Sequence, residues 1–460
     1  MIIGREKEKS ILDKYYHSDE SNFICLYGRR RVGKTYLIKN YFSNRFFLNI
    51  SGVQNGSKSE QLNNFQYELK IKRKLKNWFD AFNCLREKIE QSKDNEKKVI
   101  FFDELAWLYT TKSDLIRALE YFWNQFCTGR KDILLIVCSS ASSWIIDKIV
   151  NNTGGLYNRL SEILHIEPFT LNECVSYFEY KKIELNKFDI LESYMVFGGV
   201  PYYYNFFRIN YSLAQNIDYL FFSKDAPLKN EFKQLYASLY TKYENYLKII
   251  ETIGNKAKGL TRKEILKETG LEGGTLTTIL NDLTFSGFIY EYINYGNIKK
   301  GSVFQLIDNF SVFYLSFKPQ IEQSVENYYF SILNTPLLSA WKGYAFERVC
   351  FLEIKQIIKA LEINGISTQT KSFFNNETQI DLIIDRADNI IDLVEIKYYN
   401  DEYVIDENYY KKLLKRKAVF INEIKTKKSV HFVFVSVFGL KTNMYSNIIQ
   451  KSITINGLFN

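Results

Sequence analysis

The run Gly28-Arg29-Arg30-Arg31-Val32-Gly33-Lys34-Thr35 constrains the fold more than any other stretch, because it fits the pattern GxxxxGK[ST] without a mismatch. The glycines let the backbone curl until its N–H groups face phosphate oxygens, with Arg29, Arg30, Arg31 and Val32 completing the cradle. Lys34 reaches the β- and γ-phosphates, and Thr35 offers a hydroxyl to Mg²⁺. Such a loop needs a strand before it and a helix after it. Both are present: Asn22 to Tyr27 reads as a buried strand, and Thr35 to Tyr41 as a helix whose N-terminus attracts the anion. The chain is therefore expected to begin with an α/β domain, a parallel sheet that binds ATP and Mg²⁺.

The same rim gathers further candidates. Lys97 to Phe102 is a continuous apolar run, typical of a parallel strand covered on both sides, and it ends in Asp103-Glu104. Ligands of open α/β sheets lie beyond the carboxyl ends of the strands. Asp103 is thus expected at the Mg²⁺, and Glu104 at the water that attacks the γ-phosphate. Asp132 to Ser140 repeats the design and delivers Ser139 and Ser140 to the rim, although helix capping by Ser142 or Ser143 is an equal use for serines here. Between these strands, the region from Ser57 to Gln91 reads as helical, with apolar residues spaced for one buried face.

At 460 residues the chain exceeds what one core serves, so two to four domains are expected. A net charge of +9 permits nucleic-acid contact without requiring it. The six cysteines lie far apart with no CxxC pair, which suits reduced thiols, and the three histidines form no ligand cluster. Neither structural zinc nor histidine chemistry is expected. The N-terminus is charged too early for a signal peptide, and no apolar run reaches the ~18 residues of a membrane span. A cytoplasmic protein without a membrane partner is expected.

From about Leu228 to Ile307 the pattern changes to short helices and a hairpin. Helices are expected at Tyr246–Ile253, from Thr261 with Glu264 completing a capping box, and over Gly273–Ser286. Strands Phe288–Ile293 and Ser302–Ile307, joined through Tyr295-Gly296-Asn297, complete a winged helix-turn-helix pattern. The stretch from Glu272 to Leu283 that would read DNA contains no Lys or Arg, while Lys299 and Lys300 on the wing are placed for phosphate. Nucleic-acid binding and protein packing stand level for this region.

In the last part of the chain Glu347 sits among apolar neighbours in a helix that starts near Ser339, and two strands, Gln379–Ile384 and Ile391–Lys397, flank a polar turn. A hairpin there sets Asp381 roughly across from Glu395, and two-residue alternation keeps Glu395 and Lys397 on one face. Two carboxylates and an ammonium in that grouping suit phosphodiester cleavage: the carboxylates hold Mg²⁺ or Mn²⁺, and the lysine orients the nucleophile. The run Tyr409 to Lys417 is a basic helix with interleaved aromatics, suited to a phosphate backbone or simply to solvent.

Several of these stretches carry a family resemblance. Ile2-Ile3-Gly4-Arg5-Glu6-Lys7-Glu8 resembles the GRExE segment with which AAA-type ATPases, including the STAND-related group, cover the adenine; this implicates Gly4 and Arg5. By the same resemblance Ser139 or Ser140 takes the sensor 1 position and Arg159 that of the arginine finger. Gly198-Gly199-Val200-Pro201 resembles the GGxP lid signature, whose proline, here Pro201, packs on the base; a helix stop and restart is the plain alternative. The spacing D…ExK after a Glu-bearing helix resembles the PD-(D/E)xK nuclease superfamily. Along nearly its whole length the chain is similar to the DUF234-containing prokaryotic AAA-type ATPases, with Glu347, Asp381, Glu395 and Lys397 on the nuclease-like positions. That resemblance implies an ATPase core over 1–167, a helical lid over 168–227, a winged helix over 228–318 and a restriction-endonuclease-like α/β domain over 319–460. It further implies ATP hydrolysis that controls a metal-dependent nuclease-like domain acting on DNA. The other implied reading is a STAND-like ATP/ADP switch with an inactive C-terminal module and a homo-oligomer or protein partner.

Overall fold

The computed structural model of the protein describes all residues except 95, 111, 152, 153, 157, 294, 296–301, 376 and 460. The chain divides into two compact units, residues 1–168 with 281–287, and residues 169–280 with 288–460.

The first unit is built on five strands: β1 (Asn22–Tyr27), β2 (Phe46–Ser51), β3 (Lys98–Asp103), β4 (Ile133–Ser139) and β5 (Glu162–His165). They form one sheet in the order β2-β3-β4-β1-β5, and every pairing is parallel. Parallel strands are buried on both faces, and here alternate residues feed two cores. Phe23, Cys25, Ile100 and Phe102 join one; Ile24, Leu26, Val99 and Phe101 join the other. Helices α1 (Glu6–Tyr16) and α2 (Lys34–Phe42) cover the second face with Leu12, Leu37, Ile38 and Phe42. The opposite face is covered by Lys58–Glu68 and Trp78–Gln91. The stretch read as one helical region is thus two helices. Asn77 explains the restart, because its side chain accepts from the Asp80 amide as an N-cap.

Strand β1 lies between β4 and β5, while the chain leaving it goes first to β2 at the far edge. That reversal opens a crevice at the carboxyl ends of the strands, and the loop after β1 sits there.

In the second unit, α3 (Lys187–Phe197) ends at Gly198, and α4 (Pro201–Tyr204) begins with Pro201 in its first turn. Gly198 and Gly199 have φ of 66° and 68°, and a Cβ on Gly199 would meet the Phe169 carbonyl oxygen at 2.1 Å. Two left-handed glycines followed by proline make a helix stop and restart. Helix α5 (Tyr243–Gly254) precedes β6 (Leu260–Thr261) and α6 (Arg262–Thr269), where Thr261 and Glu264 form the capping box. β7 (Ile289–Tyr292) and β8 (Val303–Leu306) are antiparallel, and with β6 they give the sheet order β6-β8-β7. Gly296, Asn297, Lys299 and Lys300 lie outside the described residues. The helix Gly273–Phe285 carries no Lys or Arg.

Helix α7 (Pro336–Leu352) leads to a second five-stranded sheet, β9 (Thr368–Phe374), β10 (Gln379–Arg386), β11 (Ile390–Lys397), β12 (Ser429–Ser436) and β13 (Ile449–Ile453), in the order β13-β12-β11-β10-β9. β9, β10 and β11 pair antiparallel; β11, β12 and β13 pair parallel. Helix α8 (Glu407–Ile424) joins β11 to β12 and buries Leu413 and Phe420 against Ile383, Leu393 and Phe432. Among the described residues no helix is long and apolar enough to cross a membrane.

Candidate functional sites

Two groups of polar side chains stand out, one in each unit. The first lies at the crevice beside β1. Gly28 has φ 146°, and a Cβ there would meet the Ile166 carbonyl oxygen at 2.3 Å, so only glycine fits. Gly33, at φ 94°, turns the chain into α2. Lys34 is buried, and its Nζ donates to the carbonyls of Gly28 at 2.8 Å and Arg29 at 2.9 Å and to Ser140 Oγ at 2.9 Å. Ser140 passes the contact on: its hydroxyl donates to Glu104 Oε1 at 2.5 Å and its amide to Oε2 at 2.9 Å. Glu104 itself has φ 49°, a left-handed conformation that costs a non-glycine residue on the order of 1 kcal/mol and clusters at functional sites.

Beside this chain of bonds Thr35 Oγ1 donates to Asp103 Oδ1 at 2.9 Å, and Ser51 Oγ donates to Asp103 Oδ2 at 3.0 Å. A hydroxyl and a carboxylate at the lip of an anion-binding loop are the hard oxygen donors that suit Mg²⁺. The cradle, in which a Cβ at Gly28 would clash, fits a phosphate chain in the same way.

Other residues expected at this rim have different surroundings. Arg5 is buried; its Nη2 donates to the Val32 carbonyl at 3.1 Å and the Glu167 carbonyl at 2.7 Å, so it braces the loop against the segment after β5. Gly4 and Arg5, with φ of 62° and 61°, make the sharp turn that places it there. Arg30 lies over the Trp107 ring at 5.5 Å. Ser139 Oγ accepts from the Ala141 amide at 3.1 Å, so Ser140 is the serine that meets Lys34 and Glu104. Arg159 is exposed to solvent. Pro201 belongs to the second unit.

The second group surrounds the end of the β10–β11 hairpin. The β10–β11 register ends at Leu382 paired with Val394, and Asp381 and Glu395 are the next residues beyond that pair on the two strands. On its other side β10 carries a bulge: Ile380 pairs with Phe373 but Ile383 with Lys371, and Ser372 Oγ donates to the Asp381 carbonyl at 2.7 Å. A bulge re-aims the side chains of the residues it inserts. Asp381 reaches solvent on one side and is crowded by protein on the other, which raises its carboxyl; the Gln379 amide, 2.5 Å away, opposes this, and Glu395 adds to it. Glu347 on α7 is pushed up to about 7, first by burial, then by Asp381 and Glu395, with Lys397 opposing. The four residues therefore share one electrostatic neighbourhood.

Glu395 is the most committed of them. It is 5% exposed; Arg416 Nη1 donates to its Oε1 at 2.6 Å and Tyr409 Oη to its Oε2 at 2.8 Å. Lys397 Nζ lies 5.4 Å from the centre of the Tyr409 ring. Tyr409 and Arg416, both on α8, were not singled out individually by sequence reasoning. Their spacing of seven residues, two helical turns on one face of the basic aromatic run, was the available signal. Among the described residues no group of three or more His, Cys, Asp or Glu side chains is arranged to hold a metal ion.

A buried carboxylate connects this neighbourhood to α3. Glu192 accepts on one oxygen from Lys342 Nζ and from Tyr398 Oη, the latter at 2.5 Å. Lys342 precedes Glu347 on α7, and Tyr398 follows Lys397. Asn309 adds a second link, donating to the Tyr194 carbonyl at 2.9 Å and accepting from Arg348 Nε at 2.7 Å. The segment ahead of Gly198-Gly199 is thus bonded to α7 and to the residue that follows β11, two of the three elements that carry the acidic group.

Residues 2–205 match the family described as an ATPase domain predominantly from Archaea. The uncharacterized protein MJECL04 of Methanocaldococcus jannaschii is 25% identical over 417 residues, 86% of this chain and 88% of that one. The uncharacterized ATP-binding protein MJ0423 of the same organism is 44% identical over 45 residues, 10% of this chain and 76% of that protein. Among solved structures, the Walker-type ATPase PABY2304 of Pyrococcus abyssi aligns with a TM-score of 0.47 and 16% identity over 68% of this chain and 96% of its own. The ORC2 protein of Aeropyrum pernix, in complexes with ADPNP and ADP, aligns with a TM-score of 0.40 and 12% identity over 72% of this chain and 94% of its own.

Proposed function

Proceeding from the archaeal-type P-loop ATPase domain that residues 2–205 carry, we propose that the protein hydrolyses ATP and that its nucleotide state controls a metal-dependent, nuclease-like site acting on DNA in the C-terminal domain. The observation that carries the ATPase reading is the bonded rim Lys34–Ser140–Glu104 beside Thr35–Asp103. Lys34 exchanges its loop carbonyls for the β- and γ-phosphate oxygens, and in turning to them it leaves the Ser140 hydroxyl wholly to Glu104. Glu104, held at both oxygens by Ser140, orients and polarises the attacking water. Thr35 and Asp103 would hold Mg²⁺, which neutralises phosphate charge in the transfer. Arg159, exposed to solvent, is suited to act on a site as an arginine finger once brought to it.

Control of the second site is supported by Glu192, which ties the helix before the Gly198-Gly199-Val200-Pro201 segment to Lys342, on the helix of Glu347, and to Tyr398, next to Lys397. In this reading Pro201 and its neighbours respond to the nucleotide, the strands and helices of residues 243–306 form a winged helix, and the four-residue group cuts. The donor set at Asp381 and Glu395 has the chemistry for a hard divalent cation, Mg²⁺ or Mn²⁺, but the Glu395 oxygens are engaged by Arg416 and Tyr409. DNA cleavage assayed beside Asp381→Ala tests this reading, and cutting that survives the substitution contradicts it.

That same engagement of Glu395 favours a second reading, a STAND-like ATP/ADP switch whose C-terminal domain binds a partner, or a further copy of the chain, without cutting. It predicts that Lys34→Ala alters oligomeric state or partner binding; an unchanged state counts against it.

A further inference from the structure

We propose that Arg416 is a built-in cation that keeps the C-terminal acidic group closed to divalent metal, and that a metal ion enters only when the guanidinium leaves Glu395. The proposal rests on the nuclease-like reading of that site and names its regulation.

The geometry is specific. Glu395 is 5% exposed, its Oε1 accepts from Arg416 at 2.6 Å and its Oε2 from Tyr409 at 2.8 Å. Both oxygens thus face protein donors. Lys397 stacks its ammonium over the Tyr409 ring, so a second cation closes the same corner. Asp381 and Glu395 bring two carboxylates to the site, and Arg416 and Lys397 already place two cations against them. These two cations offset the Asp381 and Glu395 carboxylates. A divalent ion added without loss of Arg416 would bring a third cation onto the same two carboxylates, where like charges repel.

Removing Arg416 reverses the balance. Arg416 can leave because it is anchored only through a long side chain, 30% exposed, while Glu395 is fixed in β11. Tyr409 is neutral and stays; it positions the carboxylate but offers a cation no repulsion. Arg416 is therefore the gate, and Tyr409 a positioning residue.

Mn²⁺ binding to the full-length protein without nucleotide tests the proposal, in an Asp103→Asn background that removes the P-loop metal ligand. Titration calorimetry and the electron paramagnetic resonance of free Mn²⁺ give the readout, and circular dichroism confirms that each variant folds. Arg416→Ala and Arg416→Gln are expected to bind Mn²⁺ at least tenfold more tightly than the parent, Arg416→Lys to bind as weakly as the parent, and adding Asp381→Asn to abolish the gain. The proposal is overturned if Arg416→Ala and Arg416→Gln bind no tighter, or if the gain persists with Asp381→Asn. A parent that already binds tightly through Asp381 would overturn the gate and leave the nuclease-like reading standing. Absence of Asp381-dependent binding in every variant would overturn both.

Discussion

Ser140 grips the carboxylate of Glu104 at both oxygens, with its amide at 2.9 Å and its hydroxyl at 2.5 Å, while the same hydroxyl accepts from Lys34. One serine therefore joins the lysine of the phosphate-binding loop to the carboxylate that we propose orients the attacking water. Ser140→Ala removes the relay but keeps the amide bond. Steady-state phosphate release is expected to fall about tenfold in kcat with little change in KM, since the loss falls on orientation of the base. Ser139→Ala, which loses only a local bond to the Ala141 amide, is expected to change kcat less than twofold. Equal effects of the two substitutions would remove Ser140 from the relay.

Glu104→Gln keeps the size and one accepting oxygen but loses the carboxylate charge and the second acceptor. Turnover is expected to fall by at least ~100-fold while ATP affinity stays within a few-fold of wild type. Lys34→Ala is expected to lose affinity instead. Fluorescent ATP-analogue binding, measured beside phosphate release, separates the two.

Arg5 tests the brace rather than the chemistry. Its guanidinium satisfies the carbonyls of Val32 and Glu167 from a buried position, so Arg5→Ala leaves both without that donor. A destabilisation of about 2–4 kcal/mol is expected from denaturant midpoints. Rescue of thermal stability by saturating Mg-ATP would show that the loop still closes on ligand.

Glu347 makes stability depend on pH. Its carboxyl is raised by burial and by Asp381, from an ordinary value near 4.5 to about 7, so the folded protein holds a proton that the unfolded chain releases. Between those two values the native state binds more protons, and stability falls as pH rises. Below the lower value and above the higher one, this residue contributes no slope. Glu347→Gln is expected to flatten the decline and to gain on the order of 1–3 kcal/mol relative to wild type at pH 8 compared with pH 4. Urea midpoints at both pH values check this; parallel curves for the two proteins would contradict it.

Glu192 tests whether α3 and the acidic group move together. With both Lys342 and Tyr398 bonded to one of its oxygens, Glu192→Gln keeps a hydrogen-bond acceptor and loses the charge. Hydrogen exchange of residues 342–352 and 395–398 is expected to differ between ATP and ADP in wild type and to become independent of nucleotide in the variant. ATP hydrolysis is expected to change little.

Much of this was legible in the residues themselves. The phosphate loop, Asp103-Glu104 and the parallel strands are local signals, set by glycine conformation and by apolar runs buried on both faces. The antiparallel β10–β11 hairpin follows from a period of two across a short turn. The bulge at Asp381 was not legible, because an inserted residue leaves no mark in the alternation of so short a strand. Nor was the choice of Ser140 over Ser139, which one residue of strand length decides, or the reach of Tyr409 and Arg416 to Glu395, which depends on how α8 packs across the sheet. The pause from Leu69 to Asn77 was hidden by apolar residues that continue the helical spacing through the break.

The most direct test of the central claim is DNA cleavage by the full-length protein with Mg²⁺ or Mn²⁺, measured with ATP, with ADP and without nucleotide, in wild type, Lys34→Ala and Asp381→Ala. Wild type is expected to cut at a rate that depends on nucleotide, Lys34→Ala to cut without that dependence, and Asp381→Ala not to cut. Cleavage that persists in Asp381→Ala, or that is indifferent to nucleotide in wild type, would contradict the claim.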